Sequence, residues 1–183
     1  RRNGGRPNDV LAVTGPLGLS RAGLELTRRP DIVVAAALRE RALAAFATPA
    51  PRLREGRWLA ASSHVHAMMD LSDGISTDVA RLAAASACGA LVEPIALHPA
   101  VRAIALAAGH RPERYVLDGG EDFELLVSVA PRAFTHLAHR FATRFGRPLV
   151  AVGRLEHTAG VRLDVDGAVR PLEPRGYDHL RDA

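Results

Sequence analysis

Six oxygen-bearing side chains crowd the stretch MMDLSDGISTD (68–78): Asp70, Ser72, Asp73, Ser76, Thr77 and Asp78. Carboxylates gathered where an apolar run stops suit a hard cation such as Mg²⁺, which takes oxygen ligands and keeps waters for bridging to phosphates. The same residues also read as the start of a helix. Ser72 or Asp73 is a good N-cap, Asp78 falls in the first turn where the helix dipole favours negative charge, and Gly74 relieves the turn. A cap accounts for one acid and for Asp78 but leaves Asp70, behind two methionines, without a role. With 64–71 as a strand, its period of two puts His64, His66, Met68 and Asp70 on one face. His-x-His with an aspartate can ligate zinc. No third histidine or cysteine stands at a recognisable spacing, which favours solvent-facing or edge-strand histidines.

The second constellation is LDGGEDFELL (117–126). Gly119 and Gly120 permit a close backbone approach or a positive φ. Asp118, Glu121, Asp122 and Glu124 flank them, and four carboxylates around one turn repel each other unless positive charge lies nearby. A plain Gly-Gly hairpin with solvated acids is the alternative. The third is RGYDHL (175–180), where Tyr177 either covers the edge of the core or stacks on a planar ligand. Cys88, the single cysteine, sits at the end of an apolar helix and reads as packing. No Gly-x-Ser-x-Gly elbow, Ser-His-Asp order or Walker phosphate loop is present.

Alternating strands and helices must position these groups. DVLAVTG (9–15) reads as a buried strand and SRAGLELTRR (20–29) as a helix capped by Ser20. Asp31 caps a second helical run over 32–47, TPAPR (48–52) is extended, and a short helix surrounds Trp58. The strand at 64–71 leads into an amphipathic helix over 75–87, with Val79, Leu82 and Ala83 at helical spacing and Cys88-Gly89 as its stop. ALVEPIAL (90–97) is strand-like and 99–109 helical. RYVLDGGEDFELLVSV (114–129) reads as strand, Gly-Gly turn, strand. A helix over 131–146, a strand over 148–155 and a hairpin turning at Asp166-Gly167 complete the chain. Hairpins among alternating elements predict an α/β or α+β fold with a mixed sheet.

At 183 residues and 48% apolar composition the chain fits a single globular domain. No apolar run approaches the roughly 18–20 residues of a membrane span, and no signal-peptide core follows the first arginines, so the reading is cytoplasmic. All 24 basic residues are arginine, and they are scattered, with a net charge of only +4. A nucleic-acid binder would show a dense basic face interleaved with aromatics, which make up 4% here.

In combination, these motifs resemble thiamine-monophosphate kinase, of the superfamily that includes aminoimidazole ribonucleotide synthase. MMDLSDGISTDVARL looks like that family's IDVSDGLAADL, LDGGEDFELL like LSGGEDYELL, and VGRL with RGYDHL like IGRI … GYDHF. NDVLAVTGPLG and TPAPRL match in the same order, so the resemblance runs from about Pro7 to Leu180. It implies a three-layer α/β/α domain around a mixed sheet, equivalent to the family's C-terminal domain over 1–183, with the acid-rich N-terminal nucleotide- and magnesium-binding domain absent from this chain. The implied reaction moves the γ-phosphoryl of ATP onto thiamine monophosphate, giving thiamine diphosphate. Position by position, Asp70 and Asp73 would ligate Mg²⁺, Ser72 would contact ATP, Glu121 the substrate, and Tyr177 would border the thiamine. No residue of this chain is expected to act as a catalytic acid, base or nucleophile. A homodimer is expected at full length, and neither nucleic acid nor membrane as partner. The chain departs from the pattern at Asp118 (Ser in the family), Phe123 (Tyr) and Leu180 (Phe).

Overall fold

A computed structural model describes residues 1–175. Its elements in chain order are β1 (Val10–Val13), α1 (Leu19–Arg28), α2 (Ala36–Ala47), α3 (Leu53–Ala60), β2 (Val65–Asp70), α4 (Ile75–Ala85), β3 (Gly89–Val92), α5 (Pro99–Ala107), α6 (Pro112–Leu117), β4 (Leu125–Val129), α7 (Pro131–Phe145), β5 (Val150–Glu156), β6 (Val161–Val165) and β7 (Ala168–Pro171). The described strands form one sheet ordered β2-β4-β1-β5-β3-β6-β7. Only β3 and β6 pair in parallel, so the sheet is mixed as expected.

Alternation along the strands sends side chains into two cores. Leu11, Val13, Leu126, Val152 and Leu155 face a large cluster shared with α1, α2, α4, α5 and α6. Ala12, Val127 and Val129 face the opposite side, where α3 and α7 supply Leu59, Leu137 and Phe141. Trp58 closes this second core edge-on against Phe141 and Phe145, with ring centroids 6.0 and 5.8 Å away. The result is the three-layer α/β/α arrangement. On the first face α1 and α2 cross at Gly23, where a Cβ would lie 2.3 Å from the Ala42 carbonyl oxygen.

Five expectations about element bounds and strand faces fail for identifiable reasons. The run 114–129 is not a hairpin: Pro112 opens helix α6, whose Tyr115 and Val116 are buried, and only 125–129 is a strand. Proline at the first helical position suits a helix start, and the strand alternation of Leu125 and Val127 does not continue upstream of Leu125. Helix α2 begins at Ala36 rather than beside Asp31, because the β-branched run Ile32-Val33-Val34 drops Ile32 into the core as extended chain. Arg39 fastens that segment by donating to the carbonyls of Pro30 and Ile32. Strand β3 stops at Val92, before Pro94. Helix α4 closes with Ala87 in the left-handed region (φ 53°), with Cys88 N–H on the Ala83 carbonyl (2.9 Å), not with Gly89 as the stop. Gly89 serves close packing instead, since a Cβ would sit 1.7 Å from the Thr158 carbonyl oxygen.

The fifth concerns the histidines. A bulge between Val65 and Ala67 interrupts β2, so His64, His66, Met68 and Asp70 do not share a face. His66 Nδ1 lies 2.8 Å from the carboxylate of buried Asp9, which also accepts from Ser128 Oγ (2.6 Å) and the Arg6 N–H (2.9 Å). His66 is thus a structural partner of a buried acid.

Candidate functional site

Strand β2 ends at Asp70, opposite Leu125 of β4, but the two chains stay hydrogen-bonded beyond the regular ladder. Leu71 N–H donates to the Glu124 carbonyl (2.8 Å), Phe123 N–H to the Leu71 carbonyl (3.0 Å), and Glu121 N–H to the Ser72 carbonyl (2.8 Å). The Leu71–Asp73 loop and the Gly119–Glu124 loop are therefore one irregular unit. Their approach requires glycine: a Cβ on Gly120 would lie 2.6 Å from the Ser72 carbonyl oxygen, and one on Gly119 2.1 Å from that of Tyr115. Glu121 (φ 64°) and Phe123 (φ 49°) are both held left-handed without being glycine. Such strain costs about 1–2 kcal/mol per residue and concentrates at functional sites.

Helix α4 begins at Ile75 after Gly74 (φ 98°), and neither Ser72 nor Asp73 caps it with a side chain. The direction of capping is reversed. Asp78, fully buried in the first turn, reaches back and accepts the N–H groups of Ser72 and Asp73, both at 3.0 Å on Oδ2. Burial pushes the Asp78 carboxyl above its usual range, while the two N–H bonds pull it back down. Asp78 is the loop's positioning residue. Sequence reading gave it only a helix-dipole role, although an acid five or six residues after a loop it can bond was a usable signal.

The four acids around Gly119-Gly120 have separate fates. Asp122 is half-buried, accepts N–H groups from Gly18 (2.6 Å) and Ser20 (3.1 Å), and so caps α1 from a distant segment. That corrects the expectation that Ser20 caps α1. Burial pushes the Asp122 carboxyl up to about 7. Glu124 is buried and takes two bonds from Arg52 (2.9 and 2.8 Å), one from Arg147 (2.6 Å) and one from Thr14 Oγ1 (2.7 Å). Asp118 accepts from Ser76 Oγ (3.2 Å), with Arg114 Nε 3.6 Å away. The chain's own arginines and N–H groups thus supply the nearby positive charge that the sequence called for. Glu121 remains turned to the cleft.

That cleft has a volume of about 720 Å³, within the roughly 300–1,000 Å³ typical of small-molecule sites. Ser72, Asp73, Gly120 and Glu121 line it together with Arg21, Arg28, Arg111 and Arg114. Arg21 lies over the Tyr115 ring, 5.8 Å from its centroid, and the Tyr115 hydroxyl is 3.0 Å from His110 Nδ1. Arg175 reaches the same cleft, its N–H on Ser76 Oγ (3.3 Å). Tyr177 lies outside the described residues. Of the sequence-derived candidates, Ser72, Asp73 and Glu121 share the cleft, while Asp70 is exposed at the end of β2 and does not line it.

Two carboxylates on a strand end and its following loop have the donor chemistry of a hard cation, as an incomplete set. Among the described residues no three His, Cys, Asp or Glu side chains stand close enough to hold an ion by themselves. The residues fit Mg²⁺ only with further oxygens from phosphates, water or another part of the protein. Among the described residues no helix is long and apolar enough to cross a membrane.

Residues 6–166 match the domain family described as AIR synthase related protein, C-terminal domain. The thiamine-monophosphate kinase of Halobacterium salinarum is 41% identical over 97% of this chain and 55% of that protein. A crystal structure of thiamine-monophosphate kinase from Stenotrophomonas maltophilia K279a is 28% identical, with a TM-score of 0.80 over 92% of this chain and 54% of that one. AaThiL complexed with AMPPCP and TMP is 27% identical, with a TM-score of 0.78 over 97% of this chain and 53% of that one. The chain spans about half the length of the relatives it matches.

Proposed function

The chain belongs to the AIR synthase related protein family, as its C-terminal domain, and from that premise we propose that it is the C-terminal half of a thiamine-monophosphate kinase. The observation that carries the reading is the stitched pair of loops. Hydrogen bonds from Glu121 to Ser72 and from Phe123 to Leu71 bring both kinase-like motifs to one cleft. The complex of AaThiL with AMPPCP and TMP supports a nucleotide and a thiamine phosphate as its ligands.

In the proposed reaction an anionic oxygen of thiamine monophosphate attacks the γ-phosphorus of ATP, and the bond to the β,γ-bridging oxygen breaks as ADP leaves. The nucleophile is already ionised, so no strong general base is needed, and repulsion between the two anions is the main obstacle. Mg²⁺, when bound, supplies charge neutralisation between them. Asp70 and Asp73 would hold it and Ser72 would contact ATP. Glu121, held left-handed beside the cleft, would meet the cationic thiazolium ring, and Tyr177 would border the thiamine. Cytoplasmic location and a homodimer at full length complete the proposal; scattered arginines argue against a nucleic-acid partner.

Isothermal titration of the chain with thiamine monophosphate, and separately with Mg²⁺–AMPPCP, tests the reading. Saturable binding of both, with thiamine monophosphate weakened tenfold or more by Glu121→Ala, is expected. Absence of binding of both ligands to the folded chain, or thiamine monophosphate binding indifferent to Glu121→Ala, contradicts it. The chain alone should turn over weakly or not at all, since half of the implied ligand set lies outside it.

A further inference from the structure

One cation of the chain itself joins the loop acid Asp73 to the helix acid Asp78. Arg81, on the outer face of α4, donates from Nη1 to Asp73 Oδ2 and also to Asp78 Oδ1 (3.2 Å). The three side chains differ sharply in exposure: Arg81 is 47% exposed, Asp73 18% and Asp78 0%. Asp78 takes its two backbone partners on Oδ2 and Arg81 on the other oxygen, Oδ1. Arg81 can therefore leave Asp73 without uncovering the core, while Asp78 keeps it within reach of the loop.

Resting on the reading of Asp73 as a magnesium ligand, we infer that Arg81 is the counter-ion that Asp73 exchanges for the divalent cation. Guanidinium and metal compete for the same carboxylate. A bare cation must displace Arg81 and then sit close to its positive charge. A cation carrying a polyphosphate brings the negative charge that offsets this repulsion and offers the freed guanidinium an anionic partner. Arg81 thereby biases the site against free metal and towards the metal–polyphosphate complex.

Mn²⁺ titration of the chain followed by electron paramagnetic resonance tests this without activity. Arg81→Gln keeps good helix propensity, and Arg81→Lys keeps the charge while losing the fork. Arg81→Gln should bind free Mn²⁺ roughly three- to fivefold more tightly than wild type, the scale of a half-exposed ion pair, with Arg81→Lys in between. The advantage should shrink at 0.5 M salt, where screening weakens the pair. Circular dichroism confirms that each variant is folded. Equal Mn²⁺ affinity in wild type and Arg81→Gln, with binding abolished by Asp73→Asn, overturns the role of Arg81 and leaves the metal reading intact. Mn²⁺ binding that is undetectable in both, or indifferent to Asp73→Asn, removes the metal reading and this inference with it.

Discussion

Removing the Asp78 carboxylate should release the loop that carries Ser72 and Asp73. Two backbone N–H groups end on its Oδ2 at 3.0 Å, and the carboxylate is fully buried. Bonds to a charged acceptor contribute about 1.5–3 kcal/mol each. Two of them at the lower bound give about 3 kcal/mol, and relief of the desolvation that raises the Asp78 pKa returns part of that. Asp78→Ala should therefore destabilise the chain by about 2–3 kcal/mol in urea titration. In Asp78→Asn the amide oxygen can still accept both N–H groups, but the bonds lose their charged acceptor and the amide NH2 no longer accepts from Arg81, so a smaller loss of about 1–2 kcal/mol is expected. Hydrogen exchange supplies the local readout: the Ser72 and Asp73 amides should lose protection in the alanine variant and keep most of it in the asparagine variant. Unchanged exchange in Asp78→Ala, or equal damage from the two variants, would refute the assignment of Asp78 as the loop's anchor.

Three further outcomes follow from the same geometry. Glu124→Ala strands Arg52, Arg147 and the Thr14 hydroxyl, and should lower stability by about 3–5 kcal/mol, measured by chemical denaturation. Gly120→Ala forces a Cβ against the Ser72 carbonyl and should weaken ligand binding in calorimetry by more than it lowers the melting temperature would suggest, because the strain falls within the paired loops. Asp122, ordinarily near 3.8 and pushed up to about 7 by burial, holds its proton more tightly in the folded chain. Its contribution to stability is full below about pH 4 and is lost as pH rises through 7. The difference in urea stability between wild type and Asp122→Asn should therefore change across that window and be flat above it.

The alternating pattern made the mixed sheet legible, because hairpin signals such as Asp166-Gly167 cannot belong to a purely parallel sheet. The family resemblance singled out Asp70, Ser72, Asp73 and Glu121, of which the last three line one cleft and Asp70 does not. Helix α6 escapes the sequence reading because the apolar or aromatic run Tyr115-Val116-Leu117 fits a strand as well as a short helix, and only Pro112 distinguishes them. The partners of Asp122 and Glu124 were invisible for a different reason. Gly18 and Arg52 are distant in sequence, and no local pattern reports a long-range cap or a buried ion pair. Asp78 shows the limit most clearly: its residue type and position were noticed, but folding decides which N–H groups it receives.

Grafting this chain onto the corresponding N-terminal half of the Halobacterium salinarum relative, and assaying thiamine diphosphate formation from ATP and thiamine monophosphate, tests the central claim most directly. The folded chimera should form thiamine diphosphate, and Asp73→Ala within it should reduce the rate by a hundredfold or more. A folded chimera without activity, or one indifferent to Asp73→Ala, would contradict the proposed half-site.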